Sequence, residues 1–245
     1  MNLVIISDHL RHVTGSVSKF QEVLMKFLKE KVPGLNKVIY FSDGCPGQYK
    51  NRLNTKNLLM HKEDYGVDAE WHFYATSHGK SPSDGLGGTL KRLATKASLQ
   101  RPYDGQIQTP EDLFLWADEN IKGLNCAYVK SVDVKKHCRK LNRRFQTAPA
   151  VTGIRSHHAL IPVTAGSIVM KVLSRSASGK TVTLREEATP QDDDENSDQE
   201  MVADASPQSR LRPIQQRRSI VDLTNKTPVA TTPTWQLSRL RRRVK

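Results

Sequence analysis

Short apolar β-type runs alternating with amphipathic helical stretches through the first part of the chain predict an α/β domain. Three runs, NLVIIS (2–7), KVIYFS (37–42) and DAEWHFYAT (68–76), are each followed by a stretch of helical length. Strand-helix-strand order of this kind implies parallel pairings and right-handed crossovers. A sharp change of composition near residue 175 adds the third observation. Large apolar residues are scarce beyond it, so a folded domain is expected over residues 1–174 and a disordered, charged tail over 175–245.

Each element has a local reason. The first run is apolar throughout and rich in β-branched residues, as in a strand buried on both faces. SVSKFQEVLMKFLKEKV (16–32) places Val17, Phe20, Leu24, Phe27 and Leu28 at helical spacing and stops at Pro33-Gly34. After the second strand, GQYKNRLNTKNLLMHKEDYG (47–66) is expected as one helix ended by Gly66. In 68–76, Ala69, Trp71, Phe73 and Ala75 alternate with Glu70, His72, Tyr74 and Thr76, the period of a strand, and Trp71 and Phe73 are expected in the core rather than stacked on bases. SDGLGGTLKRLATKASLQ (83–100) reads as a helix, Thr109-Pro110-Glu111-Asp112 as a helix start, and NCAYVK (125–130) as a strand. Ser131 opens a helix through VKKHCRKLNRRF, and residues 151–173 hold two weaker β-type runs around Pro162.

Charge narrows the partners. Lys and Arg total 38 against 25 Asp and Glu, a formal charge of +13, which favours a polyanion such as nucleic acid, with DNA the expected form. Cys45, Cys126 and Cys138 show no CxxC or paired Cys/His spacing, which argues against a disulfide framework and a zinc site and suits a reducing compartment. No apolar run approaches the roughly 18 residues of a membrane span, and MNLVIISDH is too short and too acidic for a signal peptide. In the tail, an acidic block (Asp192, Asp193, Asp194, Glu195, Asp198, Glu200) precedes the basic clusters RLRPIQQRR and RLRRRVK. These clusters read equally as a nuclear import signal, placing the protein in the nucleus, as a phosphate-binding arm, or as solvated charge.

Two aspartates carry the chemical reading. Asp43 directly follows the second strand, where side chains of an open α/β sheet face the ligand crevice. Asp84 opens a helix on which Leu86, Leu90, Leu93 and Ala97 fall on one side, while Gly87, Gly88, Lys91 and Thr95 fall around Asp84 on the other. A carboxylate, bare backbone and a lysine on one face suit a phosphate beside a cation, and two such carboxylates suit metal-assisted phosphoryl transfer. A helix cap or an Asx turn explains either Asp alone. For the two together, each beside glycines and Lys, the metal reading is preferred, with Asp43 and Asp84 as catalytic metal ligands and Lys50, Arg52, His78, Lys80, Lys91 and Arg92 as contacts to nucleic acid. HGKSPSDGLGGT lacks the GxxxxGK[ST] spacing of a P-loop, adjacent His157 and His158 would point to opposite faces of a strand, and Cys45 has no identifiable base.

FSDGCPGQYKNR (41–52), WHFYATSHGKSPSDGLGGTLKRLATKASLQRP (71–102) and GIRSHHALIP (153–162) resemble a large family of mobile-element-derived animal proteins that look like transposases with a ribonuclease H-like fold. The resemblance covers most of residues 1–175. It implies a mixed sheet with helices on both faces and acidic residues meeting around Mg²⁺, Asp43 as the second acidic position and Asp84 as the third. It also implies a departure: an upstream strand with an acidic motif has no counterpart here, and Asp8 runs straight into a crossover. The expected fold is therefore a partial ribonuclease H-like mixed sheet, an N-terminally truncated and catalytically incomplete copy of a Mg²⁺-dependent DNA strand-cleaving or strand-transferring domain. Its unpaired strand edges would need an oligomer or a partner to complete the sheet. The competing expectation is a non-catalytic nucleic-acid-binding or protein-interaction module using the same basic face.

Overall fold

The computed structural model describes residues 1–74 and 81–184. In chain order they form β1 (Leu3–Ser7), α1 (Thr14–Lys31), β2 (Lys37–Ser42), α2 (Arg52–Leu59), α3 (His61–Tyr65), β3 (Asp68–Phe73), α4 (Pro82–Leu99), α5 (Pro110–Asn120), β4 (Asn125–Val129), α6 (Ser131–Gln146), β5 (Ala159–Thr164), β6 (Ser167–Lys171) and β7 (Lys180–Thr183). This is a mixed α/β fold with flanking helices. β1 pairs parallel with β4, Leu3 opposite Asn125 through Ser7 opposite Val129. β2 pairs parallel with β3, and β5, β6 and β7 extend that sheet antiparallel, in the order β2-β3-β5-β6-β7.

The two-residue period of β1 sorts its side chains into two cores. Val4 and Ile6 join Leu90 and Ala94 of α4 and Leu113, Trp116 and Ala117 of α5. Leu3 and Ile5 join Val17, Leu24, Met25 and Leu28 of α1, Val38 and Tyr40 of β2, and Trp71 and Phe73 of β3. Burying a large aliphatic side chain contributes roughly 1.5–3 kcal/mol, so a strand apolar on both faces anchors both helix layers. Trp71 and Phe73 lie in this core, stacked on Tyr40 and beneath Lys50.

Helix starts follow local chemistry. Ser81 and Asp84 form a capping box at α4, Thr109 and Asp112 another at α5, each with Pro in the first turn. α6 buries Val134, Leu141 and Phe145 on one stripe and packs on α1, where Gly15 admits Cys138. A Cβ at Gly15 would lie 2.5 Å from the Cys138 Sγ, so glycine is what permits this helix contact.

Three expectations are corrected. The single helix over 47–66 is a turn followed by two short helices. The amides of Gln48, Tyr49 and Lys50 all turn to the Cys45 carbonyl, and the Asn51 side chain accepts from the Asn54 amide to start α2. On α4, Gly87 lies on the buried side with Leu90 and Ala94, so the outward face keeps Asp84, Gly88, Lys91 and Thr95 without it. The third concerns the segment directly after residue 174: β7 (Lys180–Thr183) pairs antiparallel with β6 there and extends the sheet. Around Pro162 the β5–β6 register shifts, as expected where an imide interrupts a ladder.

Candidate nucleic-acid interface

The carboxyl ends of β1 and β2 carry Asp8 and Asp43, and α4 starts with Asp84. Each carboxylate is held by local backbone. Asp43 Oδ1 accepts from the Cys45 amide at 2.9 Å, an Asx turn. Asp84 Oδ2 accepts from the Ser81 amide at 2.7 Å and the Ser81 hydroxyl at 2.8 Å, completing the capping box. Asp8 Oδ1 accepts from the Ser131 amide at the start of α6, tying β1 to that helix. Both candidate metal ligands are thus exposed side chains whose geometry a turn and a cap account for. Among the described residues, no three His, Cys, Asp or Glu side chains gather as a metal-holding group.

The candidate phosphate contacts separate. Lys50 is buried, 8% exposed, with its ammonium 5.0 Å from the Phe73 ring centroid and its stem against Gly44. Desolvation lowers its pKa below the ordinary lysine value. Neighbouring Tyr49 has its hydroxyl pushed up by burial first, then by Asp43 and Cys45. Arg52 donates to the Ala148 carbonyl at 2.8 Å, a link between α2 and the segment after α6. Lys91 and Arg92 are exposed on α4. His78 and Lys80 lie outside the described residues. His157 donates to the Gly153 carbonyl at 2.7 Å while His158 faces the Phe73 carbonyl at 3.3 Å, so the pair diverges. No described helix is long and apolar enough to cross a membrane.

Among the described residues, a basic surface lies on α6. The helix carries Lys135, Lys136, Arg139, Lys140, Arg143 and Arg144 against the single acid Asp133. With Val134, Leu141 and Phe145 facing the core, the period of 3.6 sets Lys136, Arg139, Lys140 and Arg143 directly outward, all four exposed. None of the four forms an ion pair among the described residues, whereas Arg144 on the flank is taken up by Asp64 at 2.6 Å. From the sequence alone this stretch reads only as a helix. The spacing i, i+3, i+4, i+7 of its cations was visible, but which face would be outward depends on what the helix packs against.

At the other end of the sheet, a groove of about 600 Å³ opens between Lys37, Lys62, Glu63, Asp68, Glu70 and the β5–β6 turn. Glu70 there accepts from Lys37 at 2.5 Å and meets His72 at 3.0 Å; His72 first, then Lys37, hold its carboxyl down at about 2.

Residues 1–174 match the family described as Domain of unknown function DUF8701. The chain belongs to that family. No curated protein and no solved structure matches it. The DUF8701 match ends where the composition shifts, and β7 lies beyond it.

Proposed function

We propose that the DUF8701 domain is a non-catalytic nucleic-acid-binding module that engages the phosphate backbone, most naturally of DNA, through α6. The observation that carries this reading is the outward row of Lys136, Arg139, Lys140 and Arg143, free of ion pairs among the described residues. An anionic membrane fits less well: the apolar stripe of α6 is spent on the domain's own core, leaving no side for insertion. The net charge of +13 adds long-range attraction for a polyanion. Nuclear location is part of the same reading, supported by the basic clusters of the tail.

The ribonuclease H-like fold, the mobile-element ancestry and Mg²⁺-dependent strand cleavage or transfer are supported by motif resemblance alone. The described residues fit a catalytic Mg²⁺ poorly: Asp43 and Asp84 each already accept from a local backbone amide, and among the described residues no three His, Cys, Asp or Glu side chains gather as a metal-holding group.

The test is a salt titration of duplex DNA binding by the full chain. Four phosphate contacts give a slope of log affinity on log salt of about −3 to −4, roughly a hundredfold loss between 50 and 200 mM. Replacing Lys136, Arg139, Lys140 and Arg143 together by Gln should flatten the slope by about that amount, each contact contributing about one. An unchanged slope and affinity in the folded quadruple variant would refute the assignment.

A further inference from the structure

We infer that Lys50 is the charged end of a binding site for a single phosphate group, located where the carboxyl ends of β2 and β3 meet the turn that follows β2. The turn builds the site. Because the amides of Gln48, Tyr49 and Lys50 all converge on the Cys45 carbonyl, the chain doubles back after Asp43 and returns Lys50 to the strand ends. There its ammonium stands 5.0 Å from the ring centroid of Phe73, the last residue of β3. Its stem lies beside Gly44, just beyond the end of β2. A Cβ at Gly44 would lie 3.6 Å from Lys50 Cδ and 3.9 Å from Nζ, so a side chain there would take up space beside the ammonium that the glycine leaves open. β2 and β3 run parallel, and the crevice outside the carboxyl ends of such strands is where open α/β sheets take ligands.

What points to a ligand is a charge without a counter-charge. Lys50 is only 8% exposed, yet among the described residues its side chain makes no ion pair and no hydrogen bond. Burial alone lowers its pKa, and no carboxylate acts to raise it. Residues 75–80, which continue the chain from the end of β3, include no Asp or Glu. Lysines buried to this degree are almost always paired, and the Phe73 ring replaces only part of the lost hydration. The ammonium is nevertheless not sealed off. Among the described residues, the wholly buried side-chain nitrogens and oxygens without a partner belong to His9, Asn54, Asn57 and His72, and Lys50 Nζ is not one of them.

An anion that reaches this nitrogen supplies the missing charge. A lone ammonium suits phosphate as a compact point charge, whereas carboxylate ligands are matched better by the two-pronged guanidinium of Arg. So little of Lys50 is exposed that the site fits a terminal phosphate, on a small ester or at the end of a nucleic-acid strand, rather than the backbone of a duplex. It uses none of the cations of α6 and does not depend on them.

Thermal unfolding of the full chain in inorganic phosphate, against chloride of equal ionic strength, tests the site. A tenfold excess over the dissociation constant multiplies the folded-to-unfolded ratio about elevenfold, a rise of about 3–6 °C. Lys50→Met keeps an unbranched stem without the charge and should lose this rise, and the comparison cancels the general stabilisation that phosphate gives folded proteins. The quadruple Gln variant of α6 should keep it. In the ¹⁵N-labelled wild type, the Gly44 and Phe73 amide signals should shift and saturate with phosphate, a readout that needs no variant to fold. A 5′-phosphorylated oligonucleotide that wild type, but not Lys50→Met, prefers over its unphosphorylated form would identify a strand end as the source; no such preference, with the rise intact, would identify a small phosphate ester. An equal rise in wild type and Lys50→Met, no rise in either, or unmoved Gly44 and Phe73 signals would overturn the proposal. So would a rise lost only in the α6 variant. A carboxylate of the acidic segment 192–200 already seated on Lys50 would give the result without a rise.

Discussion

Replacing Gly15 by Ala probes the contact that seats α6 on α1. The new methyl would sit 2.5 Å from the Cys138 Sγ and 3.4 Å from its Cβ, closer than packed atoms tolerate, so Cys138 must rotate or the helices must separate. Overpacking of this size costs about 1–3 kcal/mol. Against it stands the helix preference of Ala over Gly, at most about 1 kcal/mol and less in the first turn. The expected net loss is about 1–2 kcal/mol, read as a lower midpoint in urea with an unchanged slope. In a Cys138→Ala background the sulfur is gone, and the closest contact becomes the ordinary 3.4 Å one. There the same Gly15→Ala change should be neutral or stabilising by up to about 1 kcal/mol, a coupling of about 2 kcal/mol between the positions. If Gly15→Ala costs the same in both backgrounds, the helix packing that turns the basic face of α6 outward is misassigned.

Other expectations follow from single sites. Glu70, at about 2 when folded against 4.5 when unfolded, stabilises the domain fully above pH 4.5 and progressively less as pH falls toward 2. The full shift corresponds to roughly 3 kcal/mol, and solvent screening reduces it to about 1; Glu70→Gln should remove that acid-sensitive portion from a pH series of urea midpoints. Tyr40→Phe leaves the buried His61 Nε2 without the hydroxyl at 2.8 Å and should lower stability by about 1–3 kcal/mol, whereas a loss under about 0.5 would deny the bond its importance. Asp84→Ala should cost about 1 kcal/mol by thermal or urea unfolding, as should Ser81→Ala, because both break one capping box. Asp84→Asn retains an acceptor oxygen and should cost less than half as much; a loss as large for Asn as for Ala would mean that the acceptor oxygen of the cap is not what stabilises the helix start.

Most of the scaffold could be read from local pattern. The apolar runs at 3–7 and 37–42, the alternation from 68 to 73, the caps at Ser81 and Thr109 and the apolar stripe of α6 each depend on residues within a few positions of one another. Where local reading failed, a competing local interaction was at work, as in 45–51, where three amides converge on the Cys45 carbonyl and displace the first turns of the expected helix. The aspartates show the limit from the other side. Their positions at strand and helix ends were evident, but their carboxylates are engaged by the Cys45 amide and by Ser81.

The amino-acid sequence by itself determined the α/β class, the basic charge, and which stretches turn apolar side chains to a core, because side-chain period and capping are set within a turn or a strand. Only the tertiary structure decided that Lys50 is buried over Phe73 while Lys136, Arg139, Lys140 and Arg143 are free, and that β1 and β2 share a core without sharing a hydrogen-bond ladder. Desolvation and strand pairing depend on neighbours tens of residues away, and nothing in the period of a single element specifies which neighbour arrives.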